Sequence, residues 1–328
     1  MIEKALREAS DLAPRDTTLA DPSEEKARTR RPRDWIAPGP RPRGDRGRRE
    51  LLPAPDEDHA YLTGDYRIFQ LRDGHRWSLD DFATAWIALA EARRHARVTR
   101  FLDLGCGIGS VLMMIAWGLP EAEGIGVEAQ ARSASMARRS LAWNGADDRC
   151  RVESGDLRSV AEDPSFAGAF DLVTGTPPYI PVGRGTESEK AQRGPCCFET
   201  RRGIEAYAEA AARALAPGGL FVACVGTQGG PVDRGDRAAR AQGLAIVRRV
   251  AFVPRETKPA LFWVYAMKRA RDASFAETAR GAIVERFRVR DAAGEITPEM
   301  HAARRDMGFP PVTPRRAPSS LSPSPSTD

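Results

Sequence analysis

Between residues 61 and 308, short apolar runs alternate with segments whose apolar positions recur at helical spacing, the pattern of a mostly parallel sheet covered by helices on both faces. Arg100–Leu104 reads as a strand, passes through glycine-rich punctuation and leads into a helix over Ser110–Trp117. A strand at Gly124–Glu128 precedes a helix over Ala131–Trp143, which Asn144 and Gly145 stop. Further strands are predicted at Arg151–Ser154, Phe170–Thr174, Leu220–Val225, Ala245–Phe252 and Ala260–Met267, with an Ala-rich helix over Gly203–Leu215. Upstream, Ser78–Arg94 reads as a helix, with Ser78 as N-cap and Asp80 and Asp81 in the first turn.

The pattern fails at both ends. From Thr17 to about Asp58 the chain is Pro, Arg, Asp and Gly with few aliphatics, too little apolar surface to offset the entropy of ordering it. Pro310–Asp328 is Pro/Ser-rich. The expected organisation is therefore a disordered tail over 1–60, acidic and then Arg/Pro-rich, one α/β domain over 61–308, and a second disordered tail over 309–328. The net charge of +5 in 328 residues belongs largely to the basic arm between Lys26 and Arg49. No run of about 18 apolar residues is present to cross a bilayer, and the first residues lack the apolar stretch of a secretory signal. The five cysteines form no Cys-x-x-Cys pair, and the histidines are not at metal-ligand spacing. A cytoplasmic protein with no metal site and no membrane partner is expected.

The segment Phe101-Leu-Asp-Leu-Gly-Cys-Gly-Ile-Gly-Ser110 lies at a strand-to-helix junction, where glycines permit a tight turn and let backbone amides approach a ligand. It departs from the dinucleotide fingerprint, because Ser110 stands where that pattern needs a third glycine. Asp103 is a further departure: a carboxylate repels a pyrophosphate and suits a ligand with a positive charge or an amino group. Read alone, Asp103 and Glu128 are strand-end acids able to cap neighbouring helices. Together with Glu128 at the end of the next strand, the Asp-x-Gly-x-Gly-x-Gly pattern resembles the S-adenosylmethionine-dependent methyltransferases of the Rossmann-like class. The resemblance implies a class I fold with a seven-stranded, mostly parallel sheet. It also implies Asp103, Gly105 and Gly107 around the methionine moiety, Glu128 on the ribose, and Asp156 with Leu157 at the adenine.

After the fourth strand of that domain the chain reads Thr174-Gly-Thr-Pro-Pro-Tyr-Ile-Pro181, at the strand end where open α/β sheets bind ligands. This resembles the Asn/Asp-Pro-Pro-Tyr/Phe loop of methyltransferases that act on planar exocyclic or amide nitrogens. Such a nitrogen has its lone pair delocalised and becomes nucleophilic as its hydrogens are held by acceptors. The resemblance implies a catalytic role for position 176, the Pro177 carbonyl and the rigid Pro178, with Tyr179 as a stacking platform. Thr176 stands where the family carries Asn; its hydroxyl accepts a hydrogen bond from a shorter side chain. Without the resemblance, the two prolines and tyrosine are a stiff turn.

Two families share this loop. The release-factor glutamine methyltransferases carry a helical N-terminal domain, and nothing before Tyr61 resembles one. The segment Arg67-Ile-Phe-Gln-Leu-Arg-Asp-Gly-His-Arg-Trp-Ser-Leu-Asp-Asp81 resembles the opening of the bacterial tRNA adenine-N6 methyltransferases that modify the adenine beside the anticodon of a valine tRNA. Cys197–Glu205 and Phe287–Glu299 continue that likeness. It implies an RNA partner, a tRNA, and the charge map fits one: Arg76, Arg184 and Arg201 fall in segments expected to flank the cofactor cleft, where guanidinium groups can pair with phosphates. The alternatives left open are methylation of a protein glutamine at N5, and an RNA-binding protein that keeps the fold but has lost turnover through Thr176.

Overall fold

Hydrophobic runs too short for helices but bounded by glycine and polar punctuation become strands, and every strand expected above forms. The computed structural model describes residues 32, 34–94, 97–178, 203–227 and 233–312. In chain order the sheet strands are β3 (Arg100–Leu104), β4 (Glu123–Glu128), β5 (Cys150–Ser154), β6 (Phe170–Gly175), β7 (Leu215–Gly226), β8 (Leu244–Val253), β9 (Phe262–Arg269) and β10 (Val284–Arg288). They lie in the order β10-β8-β9-β7-β6-β3-β4-β5. All neighbours are parallel except β9, which runs antiparallel to both β7 and β8. This is the doubly wound, Rossmann-like arrangement, with its direction of winding reversed between β3 and β6.

The helices are α1 (Leu79–Ala92), α2 (Ser110–Gly118), α3 (Ala131–Asn144), α4 (Leu157–Glu162), α5 (Ile204–Ala214), α6 (Arg234–Ala241), α7 (Phe275–Ala282) and α8 (Pro298–Asp306). Alternation along β3 separates two cores. Phe101 joins the core under α1, α2, α3 and α8, while Leu102 and Leu104 join the core under α4, α5 and α6. Gly145, in the left-handed region at φ 73°, closes α3 as the sequence predicts.

Three expectations are corrected. The sheet has eight strands rather than seven, because the closing segment adds β10 beside β8. The buried residue of that strand is Phe287, set among Glu285, Arg286 and Arg288, so this edge strand lacks an apolar run. Second, an antiparallel hairpin, β1 (Glu57–Thr63) and β2 (Tyr66–Leu71), precedes the domain and packs on α3. Its acidic residues are buried because each has a partner: Glu57 accepts from Arg139 at 2.8 Å, and Asp58 pairs with Arg76. Third, the tail expected over 1–60 is held from Asp34 onward. Gly44 N–H donates to the Trp143 carbonyl at 3.0 Å, Arg43 donates to Asp148, and Arg41 pairs with Asp65. Specific ion pairs and backbone bonds order this polar segment where apolar burial alone would not. His59, within the expected tail, is buried in β1 with its ring stacked on Phe69 at 4.4 Å.

Asn144 joins the hairpin to the sheet layer. Its side-chain oxygen accepts from Arg67 N–H at 2.8 Å, and its amide donates to the Arg67 carbonyl at 2.7 Å and to the Ser140 carbonyl at 2.8 Å. Asn144→Ala leaves two buried backbone groups of Arg67 unsatisfied and is expected to lower stability by roughly 2–3 kcal/mol. A fall of several degrees in the thermal unfolding midpoint checks this; an unchanged midpoint contradicts it.

Candidate active site

Register brings the site together. Asp103 lies opposite Thr174 and Leu104 opposite Gly175 where β3 meets β6, and Glu128 lies opposite Ser154 where β4 meets β5. The carboxyl ends of these four strands therefore open onto one crevice at the reversal of winding, with the glycine loop in the middle.

The loop is built on three left-handed glycines, Gly105, Gly107 and Gly109, at φ 58°, 56° and 86°. A Cβ at Gly107 meets nothing within 4 Å, so this position opens to the crevice. A Cβ at Gly105 would run into the Tyr207 hydroxyl, and one at Gly109 would lie 3.0 Å from Ala137 Cβ. Gly109 is the N-cap of α2, whose amides point at the crevice.

Asp103 sits beneath this loop, 2% exposed. The Thr174 hydroxyl donates to one of its oxygens at 2.8 Å, and Leu112 N–H, in the first turn of α2, donates to the other at 3.0 Å. Burial raises its pKa to about 7 against those two hydrogen bonds, with the Glu128 charge adding to the rise. Asp103 thus acts as an internal cap of α2 and as the link from β3 to β6. Any contact with a methionine moiety comes in addition to those two bonds.

Glu128 is 6% exposed and accepts from Gly107 N–H at 2.9 Å and from Gln130 N–H at 2.6 Å. It holds the residue that precedes α3 and steadies the glycine loop at the same time. Gly155 N–H donates to the Glu128 carbonyl at 3.1 Å, which sets Asp156 and Leu157, at the start of α4, directly beside Glu128. The expected cofactor residues Asp103, Gly105, Gly107, Glu128, Asp156 and Leu157 are therefore neighbours.

On the far side of the crevice, Thr176 and Pro178 are half-buried and Pro177 is buried, immediately after Gly175. Tyr179, Arg184 and Arg201 lie outside the described residues. Arg76 is on the surface before α1, paired with Asp58, and Trp77 packs toward Phe309 at 6.0 Å between ring centres. At the start of α1, Ser78 N–H donates to Asp81 at 3.0 Å. Burial drives the Asp81 pKa well up and the Asp80 charge adds to it, against hydrogen bonds from the Ser78 backbone and the Ser110 side chain. The first turn of α1 thus reaches the first residue of α2.

Two contributors are not legible in the sequence. Thr174 reads as an ordinary β-branched strand residue, and only its register with Asp103 reveals its hydrogen bond. Tyr207 reads as core; the available clue is a lone aromatic on an Ala-rich helix, facing glycines at both strand ends.

Because the folded-state pKa of Asp103 lies above its unfolded value, its contribution to stability is greatest below about pH 4 and is lost as pH rises toward about 7. Asp103→Asn preserves both hydrogen bonds in reorganised form and removes the charge. The variant is expected to lose less stability than the wild type between pH 5 and about 7.5. Parallel pH profiles of the unfolding midpoint would contradict this.

Residues 77–193 match the family model described as the methyltransferase small domain. Among curated proteins, the chain is similar to a 4-amino-L-phenylalanine/4-methylamino-L-phenylalanine methyltransferase of Streptomyces pristinaespiralis, 33% identical over 53% of this chain and 62% of that one. It is similar to a release factor glutamine methyltransferase of Deinococcus radiodurans, 30% identical over 49% of this chain and 55% of that one. A tRNA1(Val) (adenine(37)-N6)-methyltransferase of Citrobacter koseri is 31% identical over 41% of this chain and 54% of that one. The chain thus spans between about half and three-fifths of the length of these relatives. The fold and the family match agree: the sheet is doubly wound and Rossmann-like, and residues 77–193 within it match the methyltransferase small domain.

Proposed function

We propose that the whole protein is an N-methyltransferase acting on a nitrogen conjugated to a planar group, and that its acceptor is adenine N6 in tRNA. The observation that carries this reading is the Asp103–Thr174 hydrogen bond, which holds the glycine loop and the Thr176-Pro177-Pro178 loop against each other across the switch point.

The crevice fits the cofactor on charge and on space. Asp81 and Asp103 are buried with raised pKa values, and their partners are hydroxyls and backbone amides rather than cations. A ligand carrying sulfonium and ammonium groups relieves that electrostatic penalty, whereas a pyrophosphate adds to it. Gly107 leaves the needed room. Glu128 is placed to accept from ribose hydroxyls, and Asp156, beside it along the rim, from an adenine amino group. Bound S-adenosylmethionine supplies an electrophilic methyl group on sulfur. The chain's part is positioning: the Thr176 hydroxyl and the Pro177 carbonyl take hydrogen bonds from the acceptor's NH2, and the paired prolines keep that loop rigid. Holding two reactants in line in this way is worth several kcal/mol of barrier, on the order of 7 in well-oriented cases. The proton leaves to solvent after transfer.

The names of the three relatives point to acceptors of one chemical class: an aromatic amine, a glutamine carboxamide and adenine N6. In each, the nitrogen lone pair is delocalised into a π system. Adenine in tRNA is favoured by the likeness of the opening segment, which through Asp81 meets Ser110 at the glycine loop. One observation favours a small aromatic amine instead. The guanidinium groups of Arg76, Arg132 and Arg139 at the hairpin engage Asp58, Asp56 and Glu57, so these three cations already have anionic partners.

Calorimetry with S-adenosylhomocysteine tests the cofactor site: Glu128→Ala is expected to weaken binding about tenfold or more, the loss of charge-assisted hydrogen bonds, and undiminished affinity would remove Glu128 from the site. For the acceptor, labelled cofactor is incubated with tRNA, with release factor and with 4-aminophenylalanine. Label in N6-methyladenosine supports the proposal. Label in protein glutamine or in the aromatic amine overturns the tRNA assignment, and cofactor binding without transfer to any of them points to lost turnover. With tRNA as acceptor, Thr176→Asn is expected to raise the transfer rate, since the longer amide oxygen reaches the nitrogen better; a lower rate would mean that the loop is adapted to its hydroxyl.

A further inference from the structure

Tyr207 stands on α5 with 6% of its surface exposed, its ring in the core beneath α4, α5 and α6. Two absent side chains make its place. A Cβ at Gly175, at the end of β6, would lie 2.6 Å from Tyr207 Cδ1. A Cβ at Gly105, just after β3, would overlap the Tyr207 hydroxyl. The ring is therefore wedged between the two strands that flank the switch point, and its oxygen lies against the first residue of the glycine loop.

Packing explains the ring and leaves the hydroxyl unexplained. Among the described residues the hydroxyl has no hydrogen-bond partner, and a phenylalanine would fill the same space without an unsatisfied polar atom. Burial first, then the charges of Glu128 and Asp103, push the Tyr207 pKa upward, which keeps the phenol protonated and able to donate.

We propose that Tyr207 is a positioning residue whose hydroxyl donates a hydrogen bond to an oxygen acceptor of the bound cofactor as it lies over Gly105. This rests on the S-adenosylmethionine reading above and extends it. Three features converge on the assignment: a buried donor without a partner among the described residues, a glycine at each strand end that admits it, and a position between the cofactor loop and the Thr176-Pro177-Pro178 loop. Because the same ring touches Gly105 and Gly175, cofactor seated on the hydroxyl is held at a fixed distance from the acceptor loop.

Tyr207→Phe isolates the hydroxyl, since the ring and its packing stay. Affinity for S-adenosylhomocysteine, measured by calorimetry on the full chain, is expected to fall about five- to tenfold, the equivalent of one neutral hydrogen bond. In the ligand-free protein the unfolding midpoint is expected to hold or rise, while the gain in midpoint on adding S-adenosylhomocysteine shrinks. A purely structural role would move the ligand-free midpoint and leave that gain intact. Affinity within twofold of the wild type overturns the proposal. Failure of the wild type itself to bind S-adenosylhomocysteine overturns the cofactor reading first and this inference with it, so the two failures are distinguishable.

Discussion

The buried carboxylate of Asp103 is the interaction on which the rest of the site depends. One oxygen receives the Thr174 hydroxyl from β6, the other the Leu112 amide at the start of α2. A single side chain therefore ties together the strand before the glycine loop, the helix after it and the strand that leads to the acceptor loop. Burial makes this link strong and also electrostatically unfavourable, because a carboxylate shielded from water holds its proton up to about pH 7. That penalty is concentrated where a cationic ligand offsets it, at the crevice between β3 and β6.

A second layer keeps this region rigid from outside. The hairpin of β1 and β2 has too little apolar surface to stand alone. It is fastened to α3 by Asn144, by Ser140, whose hydroxyl accepts from Phe69 N–H at 3.0 Å, and by the Arg139–Glu57 ion pair. The opposite end of the described chain joins it: Gly64 N–H donates to the Gly308 carbonyl at 3.1 Å, beside Trp117 of α2. Gly39, Gly64 and Gly308 all lack the Cβ that would collide with the Trp117 ring. The N-terminal arm, the hairpin and the C-terminal helix thus meet on the helix whose other end carries the glycine loop, so peripheral elements brace that loop.

Charge at the crevice and charge at the periphery play different parts. Asp81, Asp103 and Glu128 are buried around the loop, while Arg76, Arg132 and Arg139 near the hairpin are matched with acids. The net charge of +5 is therefore a poor guide to where a polyanion binds. The proposed recognition of an acceptor rests instead on Thr176, Pro177 and Pro178, which follow β6 directly.

Strand-helix alternation and the glycine loop are legible in the amino-acid order because those signals are local. Apolar run length sets each strand, glycines set the turn, and an acid at a strand end caps a neighbouring helix. The same residues, Asp103 and Glu128, read as helix-capping acids and, by resemblance, as part of a cofactor site; the structure shows Asp103 capping α2 and Glu128 bonded to the glycine loop and to the residue before α3. Register and partners distant in the chain are settled only by packing. Thr174 meets Asp103 because β6 lies beside β3, Tyr207 reaches Gly105 because α5 crosses both strand ends, and β10 forms without an apolar run because β8 offers it an edge. The polar arm from Asp34 onward is ordered by the same logic. Its stability comes from ion pairs and backbone bonds to residues about a hundred positions away, such as Arg43 to Asp148, which composition cannot reveal.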